Sequence, residues 1–257
     1  MKTKKIFVSL ISVVFALLMF LLTFAAFTLK SVNAKYSAGE NTSEYIDSVL
    51  EEKLNEFCGQ NILFLDLNEI KNAVEENPYL EVVNIEKHLP NDVLLEVKEL
   101  KEVYYLDYDG RTYALAEDGK VLCEVPLGTR DRMHIELNLN DLTVSSIKLG
   151  KKLETNNDEV LSLAFSLAKA ANLTNCIKTM KIINNLVQTD VIFDTYTGVE
   201  IRIPKADIAG VEKTEGAFAF YNSNIDSTDY YKTFKIISVI LQDDGLLVPF
   251  WDSSVGE

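Results

Sequence analysis

From Ile6 to Leu29 the chain runs for 24 residues without a charge, rich in Phe, Leu, Val and Ala. As a helix this stretch rises about 36 Å, enough to cross the ~30 Å hydrocarbon core of a bilayer. Lys2, Lys4 and Lys5 precede it, and Lys30 and Lys35 follow. The heavier basic flank favours a cytoplasmic N-terminus. The expected layout is a cytoplasmic tail at 1–5, a transmembrane helix at 6–28 and an exterior for the rest. The competing reading is a signal peptide cut after Ala34, where Val32-Asn33-Ala34 offers small residues. Against it, the apolar run exceeds the roughly 7–15 residues of a signal core. Both readings export everything after residue 35.

The exported part is acidic. Five of the 25 basic residues fall before residue 36, all lysines, which leaves 20 against 39 acidic ones, a formal −19. That balance argues against nucleic acid, whose binding rests on clustered Lys and Arg, and against a domain lying flat on anionic lipid. Cys58, Cys123 and Cys176 are odd in number and widely spaced, so they make neither a disulfide framework nor a zinc site. They are expected as small buried hydrophobes, although one pair plus a free thiol remains open. The two histidines, His88 and His134, belong to no metal or catalytic motif, and no nucleophile elbow or phosphate loop occurs in a suitable context. No enzyme activity, cofactor or metal is expected.

The exterior is organised around Asn77–Leu100. Asn77-Pro78 closes a helix. Val83, Ile85 and Lys87 alternate with Asn84, Glu86 and His88, Pro90-Asn91-Asp92 turns, and Val93, Leu95 and Val97 alternate again. This is a hairpin with one apolar face that needs a cover. Two amphipathic helices upstream can supply it. One is expected over 42–58, with the stripe Tyr45, Ile46, Val49, Leu50, Leu54 and Phe57 and Asn41 as N-cap. The other is expected over 67–76, capped by Asp66, with the stripe Leu67, Ile70, Ala73 and Val74. With a first strand near Lys30–Tyr36, the order is β-α-α-β-β.

The succession Pro78, Leu80, Val83, Ile85, Lys87, Pro90, Leu95, Val97, Glu99 resembles the POTRA module of the FtsQ/DivIB cell-division family. Lys87 stands where that family usually has arginine, Leu89 where it often has tryptophan, and Glu102 replaces a frequent proline. Downstream, Val103–Leu106, Thr112–Leu115 and Lys120–Cys123 read as strands joined by Asp109-Gly110 and Asp118-Gly119, strong hairpin signals. The passage through Glu117–Val121 is similar to the family's entry into its β domain. A strand over His134–Leu137 and the glycine-containing segment Lys148–Leu153 follow. Next come a helix from Asn157-Asp158 to about Ala171 and strands at Ile177–Ile183, Leu186–Phe193 and Val199–Ile203. Gly216–Tyr221 is expected as a strand, Thr228–Leu241 as a helix and Leu246–Trp251 as a last strand.

The whole is therefore expected as α+β: a transmembrane helix, a POTRA-like module at 29–100, and a mostly antiparallel β domain with flanking helices at 101–257, ending in a helix and a strand. The resemblance implies a non-catalytic divisome scaffold at the septum. It would link FtsL- and DivIC/FtsB-like subunits to a septal penicillin-binding protein/FtsW-like synthase. The family's partner surface lies at its final helix and strand, which points here to Tyr231, Leu246, Val248, Phe250 and Trp251. The Asp and Arg usual in the family's last strand are missing. Pro249 suits a sheet edge, where a partner strand could add. Phe250 and Trp251 could equally cap the core. The alternative from another class is a cleaved, secreted binding protein or enzyme.

Overall fold

The computed structural model describes residues 12–19, 21, 24–37, 44–129, 133–171, 176–185, 188–225, 235–242 and 245–252. They fall into two compact units, Met1–Leu100 and Lys101–Glu257.

In the first unit, residues 12–19, 21 and 24–26 are helical (α1), and their large apolar side chains are exposed. The expected span at 6–28 lies partly outside the described residues. Within them, no helix is long and apolar enough to cross a membrane. The elements after α1 are β1 (Ser31–Tyr36), α2 (Glu44–Asn55), α3 (Leu67–Glu75), β2 (Leu80–His88) and β3 (Asp92–Glu99), the β-α-α-β-β order expected. The sheet order is β1-β3-β2, with β1 parallel and β2 antiparallel to β3. Asp66 caps α3 by accepting from the Asn68 backbone N–H at 2.9 Å. Leu50 and Leu54 of α2 and Ile70 and Val74 of α3 bury against Leu80, Val82, Val93, Leu95 and Val97. Lys53 ties the two helices together by donating to the Ala73 carbonyl and pairing with Glu76.

One expectation fails here. Val83 is 53 % exposed because the register slips between Val82 and Asn84. A bulge adds one residue and reverses the phase of alternation, so Leu80 and Val82 face the core while Val83 faces out.

The second unit carries a nine-stranded sheet in the order β14-β13-β12-β11-β10-β7-β4-β5-β6. Its strands are β4 (Tyr104–Tyr108), β5 (Arg111–Leu115), β6 (Val121–Val125), β7 (Ile135–Asn138), β10 (Ile177–Asn184), β11 (Thr189–Thr195), β12 (Glu200–Ile203), β13 (Ile236–Leu241) and β14 (Leu247–Asp252). A small ribbon pairs β8 (Val144–Ser146) with β9 (Glu154–Thr155). Most of its strand pairs are antiparallel, but β4–β7, β7–β10 and β12–β13 are parallel. A parallel pair needs a long crossover, usually helical. Accordingly α4 (Asp158–Ala171) lies between β7 and β10, and α5 (Gly210–Ile225) lies between β12 and β13. The two helices pack on each other, α4 over β10 and α5 over β12, β13 and β14.

This crossover corrects two expectations. Gly216–Tyr221 is helix, not strand: Lys213, Thr214, Ala217, Phe218 and Tyr221 are buried at spacings of three and four. The expected helix at 228–241 is β13 over its last six residues, where Ile236, Ile237, Val239 and Ile240 supply β-branched side chains. The last two elements among the described residues are therefore strands, and the earlier part of the expected helix, 228–234, lies outside the described residues. Lys213 is 4 % exposed and donates to the Pro204 and Lys205 carbonyls at 2.8 and 3.0 Å, fastening the loop that enters α5. Burial pushes its pKa below the ordinary lysine value, although Asp207 opposes this.

Three weak acids are held neutral in this core. Tyr104 lies against Phe165 with ring centroids 4.9 Å apart, and burial raises its pKa strongly. Burial pushes the Cys176 thiol up to about 11. Burial also raises Tyr221, against the opposing hydrogen bonds of Thr197 and Thr195. Each group ionises more readily in the unfolded chain. Stability is therefore fully present below about pH 9 and falls as pH rises from about 9 through about 11. Urea unfolding midpoints followed against pH should show this loss, and Cys176→Ala should flatten its first part. An identical profile in that variant would remove the thiol from the account.

Candidate functional site

β14 forms one end of the nine-stranded sheet, and among the described residues only β13 pairs with it. The opposite end is different. There Lys120 bridges to Lys152, Val121 donates to the Lys151 carbonyl at 2.9 Å, and Gly150 donates to the Val121 carbonyl at 2.8 Å. The segment 150–153 thus covers the start of β6, whereas β14 leaves main-chain groups along its outer side. Gln242 and Gly245 close the turn before it: Gln242 donates to the Leu246 carbonyl and Gly245 to the Gln242 carbonyl, both at 2.9 Å.

The pairing register sets which side chains share a face. Ile237 opposes Trp251, Ser238 opposes Phe250, Val239 opposes Pro249 and Ile240 opposes Val248. Ile237 and Val239 are buried under α5, and Leu247 and Trp251 pack against the same core. The Trp251 ring lies 5.9 Å from that of Phe220 on α5. Successive strand residues alternate faces, so Val248 and Phe250 point away from the helices, beside Ile240, which is 53 % exposed. Pro249, which cannot donate to a ladder, sits on the edge strand, as proline must.

The five residues singled out from sequence are thereby sorted. Val248 and Phe250 share one face at the open edge. Leu246 precedes the strand and is 58 % exposed. Trp251 turns inward and caps the core. Tyr231 lies outside the described residues. Ile240 belongs with Val248 and Phe250; its helical spacing hides this, and only its β-branched neighbourhood signals a strand.

The most chemical-looking cluster elsewhere surrounds Glu102. Tyr105 donates to Glu102 Oε2 at 3.2 Å, the Cys123 thiol faces Oε1 at 3.6 Å, and His134 Nε2 lies 3.7 Å from Oε2. His134 stacks on Tyr105 at 4.3 Å. A thiol nucleophile needs a base against its sulfur. Here the thiol meets a carboxylate that already serves Tyr105 and His134, which is a structural network. His88, by contrast, is a surface residue 3.8 Å from Glu86. The three cysteines are only partly buried, so they are less enclosed than expected. Among the described residues no group of three or more His, Cys, Asp or Glu side chains could hold a metal ion.

Comparison with known proteins matches residues 41–99 to the POTRA domain, FtsQ-type. The cell division protein DivIB of Clostridium tetani is 37% identical over 62 residues, 24% of this chain and 23% of that protein. DivIB of Clostridium acetobutylicum is 29% identical over 147 residues, 56% of this chain and 53% of that protein. DivIB of Clostridium botulinum strain Hall is 23% identical over 212 residues, 80% of this chain and 77% of that protein. The chain thus matches well under two thirds of the first two relatives and about three quarters of the third. A solved extracytoplasmic domain of DivIB from Geobacillus stearothermophilus aligns at 12% identity with a TM-score of 0.32, over 51% of this chain and 98% of that one. A match of 212 residues must run well past the first unit's end at Leu100. Through an FtsQ-type POTRA domain at 41–99, and more distantly past it into the β-rich unit, the chain is similar to the DivIB/FtsQ cell-division proteins.

Proposed function

We propose that this protein is a non-catalytic scaffold of the division machinery, anchored in the cell membrane by a helix over 6–28 with its short tail in the cytoplasm. Its two exterior units are a POTRA module at 29–100 and a β domain at 101–257. A partner strand adds along β14, and Val248, Phe250 and Ile240 grip its side chains. The partners are FtsL- and DivIC/FtsB-like subunits, and through them a septal penicillin-binding protein/FtsW-like synthase. The observation that carries this reading is the open β14 edge beside an apolar face on which Ile240 is exposed and Val248 and Phe250 are half-buried, a combination suited to strand addition. The names of the relatives, all cell division proteins, support the setting.

An N-terminal fluorescent fusion replacing the native protein tests the setting. A mid-cell band, full length and in the membrane fraction, is expected. An even membrane ring would sink the division role, and a mature chain beginning at Lys35 in the medium would sink the anchor. The edge is tested by Val248→Glu with Phe250→Glu. Both side chains lie on the face away from α5, so the Trp251 emission and the unfolding midpoint should hold. Capture of the FtsL- and DivIC/FtsB-like subunits should fall roughly tenfold or more, as for a central interface anchor. Undiminished capture would move the partner surface elsewhere.

A further inference from the structure

The end of the apolar run is built into the first unit rather than hung from it by a linker. Thr28 bridges to Asn61, Leu29 donates to the Gln60 carbonyl at 2.7 Å, and Ile62 donates to the Phe27 carbonyl at 2.8 Å. The Asn61 amide reaches further back and donates to the Phe24 carbonyl at 3.3 Å. Leu29 and Ile62 are buried in the unit's core. On the other side Lys30 donates to the Asn91 carbonyl at 2.8 Å, and the Ser31 hydroxyl donates to Asp92 at 2.6 Å. Two loops therefore bracket the point where the uncharged run ends: the turn Asn61–Leu65, and the β2–β3 tip at Leu89–Asn91.

Those loops carry exposed apolar side chains. Leu63 is 50 %, Phe64 80 % and Leu89 59 % exposed. Single exposed hydrophobics are ordinary. These three are gathered at one end of the unit by backbone bonds to residues 24–31. Phe64 is three residues from Asn61, so it lies within about 11 Å of the residue whose amide holds the Phe24 carbonyl, itself inside the uncharged run. Lys30 and Lys87 stand at the same end, and the cationic ends of lysine side chains suit the headgroup layer.

We propose that the turn Asn61–Leu65 and the Leu89 tip dip into the interface of the phospholipid bilayer. Leu63, Phe64 and Leu89 then seat the first unit on the membrane in one orientation. The proposal rests on the membrane-anchor reading above, and it adds a lipid-binding surface to the exterior unit itself. Apolar side chains at the boundary of headgroup and acyl chain bind in proportion to the apolar area they bury. The hydrogen bonds to residues 24–31 hold these three at that depth.

The test uses the full chain with Trp251→Phe, so that one added tryptophan reports alone. Variants Phe64→Trp, Val83→Trp and Phe15→Trp are reconstituted in phosphatidylethanolamine/phosphatidylglycerol vesicles, with and without lipids brominated on the acyl chain. Val83 is exposed but lies mid-strand, about 16 Å along β2 from its membrane-side end. The expected result is blue-shifted emission for Phe64→Trp with several-fold quenching by bromine, and neither effect for Val83→Trp. Phe15→Trp, inside the apolar run, should be quenched. If it is and Phe64→Trp behaves like Val83→Trp, the lipid contact is overturned while the anchor stands. If Phe15→Trp is unquenched, the anchor falls and the contact with it. Blue-shifted but unquenched Phe64→Trp would mean a protein neighbour, and would also overturn the proposal.

Discussion

Phe193→Ala is expected to lower the stability of the second unit by about 3–5 kcal/mol, the range for emptying a buried phenylalanine site. Phe193 lies on β11 with no exposed surface, and its ring meets that of Phe218 on α5 edge-on at 5.4 Å. Little nearby can collapse into the space. Val191, Ile201 and Ile203 sit in paired strands, and their backbones are fixed by the ladder. The loss should reach the β14 edge, because α5 also carries Phe220 against Trp251. Trp251 is the chain's single tryptophan, so its emission in urea titrations of the full chain reads this unit. Phe218→Ala and the double variant complete a cycle, in which the edge-on contact should appear as a coupling of about 0.5–1.5 kcal/mol. Additive losses would mean that the two rings do not share one packing site. A loss below about 1 kcal/mol for Phe193→Ala would contradict the close packing of α5 on the sheet.

The first unit was legible because its signals are local. Asp66 caps α3, the stripes of α2 and α3 face one sheet, and Pro90-Asn91 turns β2 into β3; each rests on neighbours in sequence. The bulge at Val83 was not legible, because a slip of register leaves no composition mark. In the second unit the meander through Asp109-Gly110 and Asp118-Gly119 was equally local. The two errors came where order depends on distant pairing. Phe218 and Phe220 imitate strand alternation, yet the parallel pair β12–β13 needs a helix between its members, and Gly210–Ile225 fills that place. Conversely, the helical spacing of Ile237 and Ile240 gave way to ladder pairing with Glu200–Arg202 and with β14. The same error hid Ile240 from the candidate edge. It also left Trp251 grouped with Phe250, although the two face opposite sides of one strand.

Gly119→Ala should cost about 2–4 kcal/mol, far more than the same change at Gly110. Both glycines hold the left-handed region, at φ +83° and +75°, where alanine pays about 1 kcal/mol. They differ in what a methyl group would meet. At Gly110 nothing lies within 4 Å. At Gly119 a Cβ would clash with Phe165 Cε2 and stand 3.0 Å from Cζ. That ring cannot swing aside freely, since Phe165 is 7 % exposed and lies against Tyr104. Nor can the turn withdraw easily: Gly119 donates to the Ala116 carbonyl at 3.0 Å and accepts from Leu153 at 2.9 Å. Overpacking of this kind adds about 1–3 kcal/mol to the backbone term. Comparing unfolding midpoints of the two alanine variants isolates the clash, because the strain is common to both. Phe165→Leu, placed in the Gly119→Ala background, should recover part of the difference by shortening the side chain that α4 presents to the turn. Equal losses at Gly110 and Gly119 would show that the turn can shift away from α4. In that case the Asp118-Gly119 hairpin would owe its glycine to backbone conformation alone.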